Sequence, residues 1–126
     1  MLPAAHRMRR SEDFSLAVRR GRRAGSTHLA VHLLLAPAGA VALEPALVGI
    51  VVSKAVGTAV TRTGVKRRLR AVAAARVDRL PEGALAVVRA TPASAAATSE
   101  VLAADLERML NRVLSPPRVR LAGVGS

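Results

Sequence analysis

The sequence predicts an α/β two-layer sandwich with elements in the order α-β-β-α-β-α, on three observations. Residues 28–35 alternate, with Leu29, Val31, Leu33 and Leu35 on one side of a strand. Residues 47–53 form an apolar run that passes through Gly57 into a segment of helical period. Residues 84–90 form another apolar run, followed by an amphipathic stretch that stops at Pro116 and Pro117. A strand, crossover helix and strand of this length imply parallel pairing of 47–53 with 84–90.

The first helix is expected from Ser11, a capping residue, with Glu12 and Asp13 at its positive end and an apolar stripe of Phe14 with Ala17 or Val18. Gly21 is expected to stop it. Pro37, Gly39 and Pro45 punctuate a loop between the first two strands. In the central helix, Val65, Leu69, Val72 and Ala73 fall on one face, and Lys66, Arg67 and Arg70 on another. Pro81-Glu82-Gly83 is a turn, and 93–97 a linker. The last helix, capped by Thr98 or Ser99, carries the stripe Leu102, Leu106, Met109, Leu110 and Val113.

The 126 residues have room for one modest domain, assigned to 1–113, with 114–126 expected to be a disordered tail. Phe14 is the one aromatic residue, so the core must be aliphatic and only modestly stable. The absence of Cys excludes disulfides and thiolate metal sites. The basic N-terminus lacks the long apolar stretch of a signal peptide. The longest apolar runs are broken at Pro37, Glu44 and Pro45, short of the ~20 residues of a membrane span. A soluble cytoplasmic protein with no membrane partner is therefore expected.

The net charge of +12 is concentrated in two blocks: residues 1–30 carry +5 and residues 51–76 carry +7. Ser53 to Arg70 alone holds six of the twenty Lys and Arg residues and no acid. Cations held on a helix fed by a buried strand suit a polyanion, and nucleic acid is the natural one. A merely solvated face is the alternative, and clustering of the excess in two blocks argues against it.

Four segments in this order resemble the protein subunit of bacterial ribonuclease P, and in their Ala- and Arg-rich usage its actinobacterial members. They are R-x-R-R-S-E-D-F at Arg7 to Phe14, V-G-I-V-V-S-K at Val48 to Lys54, G-T-A-V-T-R-T-G-V-K-R-R-L-R at Gly57 to Arg70, and L-P-E-G-A-L-A-V-V-R-A at Leu80 to Ala90. With the closing helix the resemblance covers residues 6–113. It implies a small mixed sheet with a left-handed strand-helix-strand crossover, as in the second domain of a small-subunit ribosomal protein. Chain handedness alone favours the right-handed form at about 98%.

The resemblance also implies a role. The family's RNA subunit removes the 5′ leader of precursor tRNA, and the protein docks on that RNA, grips the leader and strengthens binding of the Mg2+ that the RNA mainly holds. Lys54, Arg62, Lys66, Arg67 and Arg70 match the family's catalytic-RNA contacts, with Arg68 peripheral. Phe14 matches an aromatic in the leader cleft, where stacking is worth ~1–3 kcal/mol; a core anchor is the other reading of a lone Phe. His32 or Leu34 falls on the strand face near that cleft, with His32 taken as the leader contact, and leader binding is expected to lean on Arg9, Arg10, Arg19, Arg20, Arg22 and Arg23. The chain departs from the family pattern at Thr58 and Thr63, where Asn is usual, and at Gly64, where Arg is usual. This implies a thinner RNA contact.

His6, His28 and His32 are too scattered for a metal site, and no carboxylate pair or nucleophile triad recommends a protein active site. The protein alone is expected to be monomeric. Two other classes carry the same charge: a ribosomal-type or RNA-chaperone protein without precursor specificity, and a nuclease acting alone.

Overall fold

The computed structural model describes residues 2–41 and 43–115. Its elements are α1 (Ser11–Arg20), β1 (Arg22–Gly25), β2 (Leu29–Leu34), β3 (Leu47–Val51), α2 (Ala59–Ala74), β4 (Leu85–Ala90) and α3 (Ser99–Leu114). The four strands form one mixed sheet in the order β1-β2-β4-β3, with β1-β2 and β2-β4 antiparallel and β3-β4 parallel. The expected parallel pair is therefore present, from Leu47 opposite Leu85 to Val51 opposite Arg89.

Strand alternation sorts the sheet into two faces. Leu29, Val31, Leu33, Val48, Ala86 and Val88 point into the main core, where they meet Val65, Leu69 and Val72 of α2 and Leu102, Leu106, Met109, Leu110 and Val113 of α3. Both helical stripes read from the sequence are the buried ones. The other face carries a smaller cluster, in which Met8 and Ala17 pack on Val87, with Phe14, Leu47, Val51 and Leu85 at its edge. Helix α1 thus lies across the side of the sheet that α2 and α3 leave open.

Several local expectations are corrected. Strand β1 was not foreseen: its two arginines and single buried residue, Ala24, show no apolar alternation, as befits an edge strand. Ser11 is the first helical residue of α1, not its cap. Arg10 holds the extended cap conformation, without a side-chain cap bond, and its carbonyl accepts from the N–H groups of Asp13 and Phe14. Gly21 ends α1 at φ −77°, so it does not act through a left-handed turn. A Cβ there would lie 2.8 Å from the Leu33 carbonyl carbon, and the close approach of backbones is what requires glycine. Strand β2 stops at Leu34, leaving Leu35 exposed. The segment 93–97 falls largely within a 3-10 turn, Pro92–Ala96. From residue 116 onward the expected tail lies outside the described residues.

Candidate nucleic-acid interface

Two groups of cations stand on opposite sides of the sheet. The first is carried by α2. The chain leaves β3 through a 3-10 turn, Lys54–Val56, and reverses at Gly57, whose φ of 153° favours glycine. Thr58 caps the helix by accepting the Thr61 N–H at 3.3 Å. With Val65, Leu69 and Val72 turned into the core, helical geometry leaves Thr63, Lys66, Arg67 and Arg70 on the outer arc, where they line one concavity with Ala71. A second concavity, lined by Ala59, Val60, Thr63, Gly64 and Arg67, adjoins it. Only Arg68 Nη1, at 3.7 Å, would meet a Cβ at Gly64, so packing does not require glycine there.

The cations of this stretch divide by their bonding. Among the described residues, Lys54, Lys66, Arg67 and Arg70 make no ion pair and no side-chain hydrogen bond. Arg62 donates from Nε to the Gly57 carbonyl at 3.2 Å and so braces the turn that starts the helix. Arg68 is half-buried and donates to the Ala95 carbonyl at 3.4 Å, a strut between α2 and the 3-10 turn before α3.

The second group surrounds the open part of the α1 face. Phe14 is half-buried on Gly49 and Met8, while Val18 is exposed. Arg9, Arg19, Arg20 and Arg23 are exposed and unpaired among the described residues, and Arg10 lies 3.6 Å from Glu12. His32, beside Arg23 in the sheet register, is buried, and neither of its ring nitrogens has a partner. Burial, then the charges of Arg23 and Arg89, holds its pKa below the ordinary 6.5.

Arg22 is set apart from this group. It pairs with Leu33 on the core side, and its Nη1 donates to the carbonyls of Val113 at 3.0 Å and Ser115 at 2.7 Å, closing the C-terminal end of α3. Arg89, by contrast, was missed. It shares the α1 face with Leu85 and Val87, is exposed, and a lone arginine inside an apolar strand was the signal available.

His6, His28 and Asp105, outside these groups, have structural partners. His6 Nδ1 donates to the Ala46 carbonyl at 2.8 Å. His28 Nδ1 lies 2.6 Å from Oδ2 of the buried Asp105, which also accepts from Ser26 Oγ at 2.9 Å and pairs with Arg108. Among the described residues no three His, Asp or Glu side chains gather where a metal ion could be held.

The family model for ribonuclease P matches residues 2–114. The chain belongs to the ribonuclease P protein family. It is 56% identical over 113 residues to the ribonuclease P protein component of a Nocardioides species, covering 90% of this chain and 95% of that one. Over 118 residues it is 50% identical to the component from Streptomyces griseus, covering 90% and 96%. The solved ribonuclease P proteins of Staphylococcus aureus and Thermotoga maritima share the fold. Their TM-scores are 0.71 and 0.70 at 23% and 21% identity, with 88% and 86% of this chain and 99% and 97% of theirs covered. A ribonuclease P protein is a subunit of the tRNA-processing ribonuclease, and its partner is the ribonuclease P RNA. No described helix is long and apolar enough to cross a membrane.

Proposed function

We propose that the outer arc of α2, with Lys54, docks on ribonuclease P RNA while the α1 face of the sheet takes the 5′ leader of precursor tRNA. The observation that carries this reading is the separation of unpaired cations into two arrays on opposite sides of one rigid sheet, so that two RNA segments can be engaged at once. Lys66, Arg67 and Arg70 contact phosphates and set affinity and register, and the form of the RNA, not its base edges, supplies selectivity. Arg62 and Arg68 hold the helix in place for that contact. Phe14 presents what its packing on Gly49 leaves of the ring to a leader nucleotide.

The side chains do not fit a protein-held magnesium ion, because among the described residues no three carboxylate or imidazole groups gather in either array. In this reading Mg2+ stays with the RNA. The protein lowers the amount required by neutralising phosphates that would otherwise repel one another. The protein acts as a monomer in the cytoplasm.

Affinity of the assembled ribonucleoprotein for precursor and for mature tRNA tests the leader half of the proposal. Tighter binding of precursor is expected, and equal affinity would favour an RNA chaperone without precursor specificity.

A further inference from the structure

The end of the sheet where β2 finishes and β3 and β4 begin differs from the rest of the molecule. Leu35, just past β2, and Leu43, in the loop before β3, are exposed. The turn before β4 gathers their surroundings: a Cβ at Gly83 would lie 2.9 Å from Ala36 Cβ and 3.1 Å from Leu43 Cδ2. The Gly83 N–H also donates to the Glu44 carbonyl at 2.7 Å. Glu44 and Glu82, chain neighbours of Leu43 and Gly83, are exposed, and among the described residues neither forms an ion pair. Residues 31–50 and 80–84 contain no Lys or Arg, so this end offers nothing to a phosphate backbone. Exposed apolar side chains beside acids suit an apolar segment that carries cations.

The chain itself supplies such a segment at the right place. Arg22 Nη1 donates to the Ser115 carbonyl at 2.7 Å, and Arg22 stands opposite Leu33, two residues before Leu35. The chain therefore leaves α3 at the same end of the sheet as the patch. Residues 116–126 read P-P-R-V-R-L-A-G-V-G-S, with two bases and no acid. Arg118 and Arg120 alternate with Val119 and Leu121, a pattern that in extended form sets both apolar side chains on one side. A chain reaches at most roughly 3.6 Å per residue, and neighbouring strands lie about 4.8 Å apart. Residues 118–121 can thus cross from β1 past β2 to the start of β4. Tethering also gives them an effective concentration on the order of millimolar at the patch, so weak contacts suffice.

We propose that residues 118–121 dock on this patch, with Val119 and Leu121 against Leu35 and Leu43 and with Arg118 and Arg120 beside Glu44 and Glu82. The apolar contact carries most of the affinity, because exposed ion pairs contribute little singly. Docking covers an end of the sheet that is apolar and acidic, and it draws two arginines away from RNA. The inference stands apart from both RNA-binding surfaces and does not depend on them.

The chain has no cysteine, so Ala122→Cys in the full-length protein gives a single site for a nitroxide label. The amide signals of Leu35, Leu43 and Gly83 are expected to broaden before others, and Leu121→Asp should relieve the broadening. Leu121→Asp should also lower the melting temperature by a few degrees, as loss of a small apolar contact does. Broadening centred on α1 or α2, or spread evenly over the surface, would overturn the proposal. Broadening of the same signals when the nitroxide is carried only by a separate, mixed-in copy would assign the segment to a second chain and overturn docking within one chain. A drop of about two in the salt slope of ribonuclease P RNA affinity in Arg118→Gln/Arg120→Gln would make the arginines RNA contacts and equally overturn it.

Discussion

The ring of Phe14 lies on Gly49: a Cβ at position 49 would stand 2.5 Å from Phe14 Cζ and 3.1 Å from Met8 Sδ. Glycine is needed here for space, since the residue sits within β3 and its φ is not positive. Gly49→Ala should displace the ring and cost about 1–3 kcal/mol by overpacking, read as a lower urea midpoint at unchanged slope. Phe14→Leu separates the ring's two uses. Unchanged precursor affinity at full stability would reduce Phe14 to a packing residue.

The buried Asp105 joins the β1-β2 turn to α3 through Ser26 and His28. Asp105→Ala strands those two partners and should cost about 1–3 kcal/mol, measured by denaturant unfolding. Because none of Ser26, His28 and Asp105 belongs to either cation array, affinity for RNA measured below the melting transition should be unaffected.

His32 gives stability a defined pH dependence. Its folded pKa lies below 6.5, from burial first and then Arg23 and Arg89, so below about pH 6.5 the unfolded chain binds more protons than the folded one. The contribution is complete above pH 6.5 and is lost as pH falls toward the depressed value. Melting temperatures of the wild type and His32→Leu across this range should diverge in slope, the variant being the flatter. Parallel curves would show that His32 does not titrate with folding.

Neutralising Lys66, Arg67 or Arg70 to Gln should weaken RNA binding. Each substitution that leaves a phosphate without its cation should lower the slope of log affinity against log salt by about one. Arg68→Gln should change the slope little and lower stability instead, since Arg68 is tied to Ala95.

The parts of this molecule that were legible in the sequence are those written as local periodicity. Val65, Leu69 and Val72 of α2 and Leu102, Leu106 and Met109 of α3 announce their buried stripes at helical spacing, and both stripes form the core. The parallel β3-β4 pair follows from the length of the chain between the strands. Contacts between distant residues carry no such signal. Arg22 sits in a run of arginines and reads as one more cation, yet its partners are carbonyls 91 and 93 residues away. Arg68 directly follows Arg67, but the helical turn swings it toward Ala95 and away from the outer arc. Strand β1 is short, basic and at an edge, so it lacks the apolar alternation by which strands are recognised. With it went the register that brings Arg23, His32 and Arg89 onto one face.

Precursor cleavage at low magnesium, with ribonuclease P RNA alone and with the protein added, tests whether this chain serves a catalytic RNA through two separate cationic surfaces. Addition of the protein should speed release of the leader, and the gain should shrink with either Lys66→Gln/Arg70→Gln on α2 or Arg23→Gln/Arg89→Gln on the α1 face. The purified chain without RNA should release no leader. Cleavage that persists in the RNA-free protein and depends on an acidic side chain would instead make the chain a nuclease in its own right.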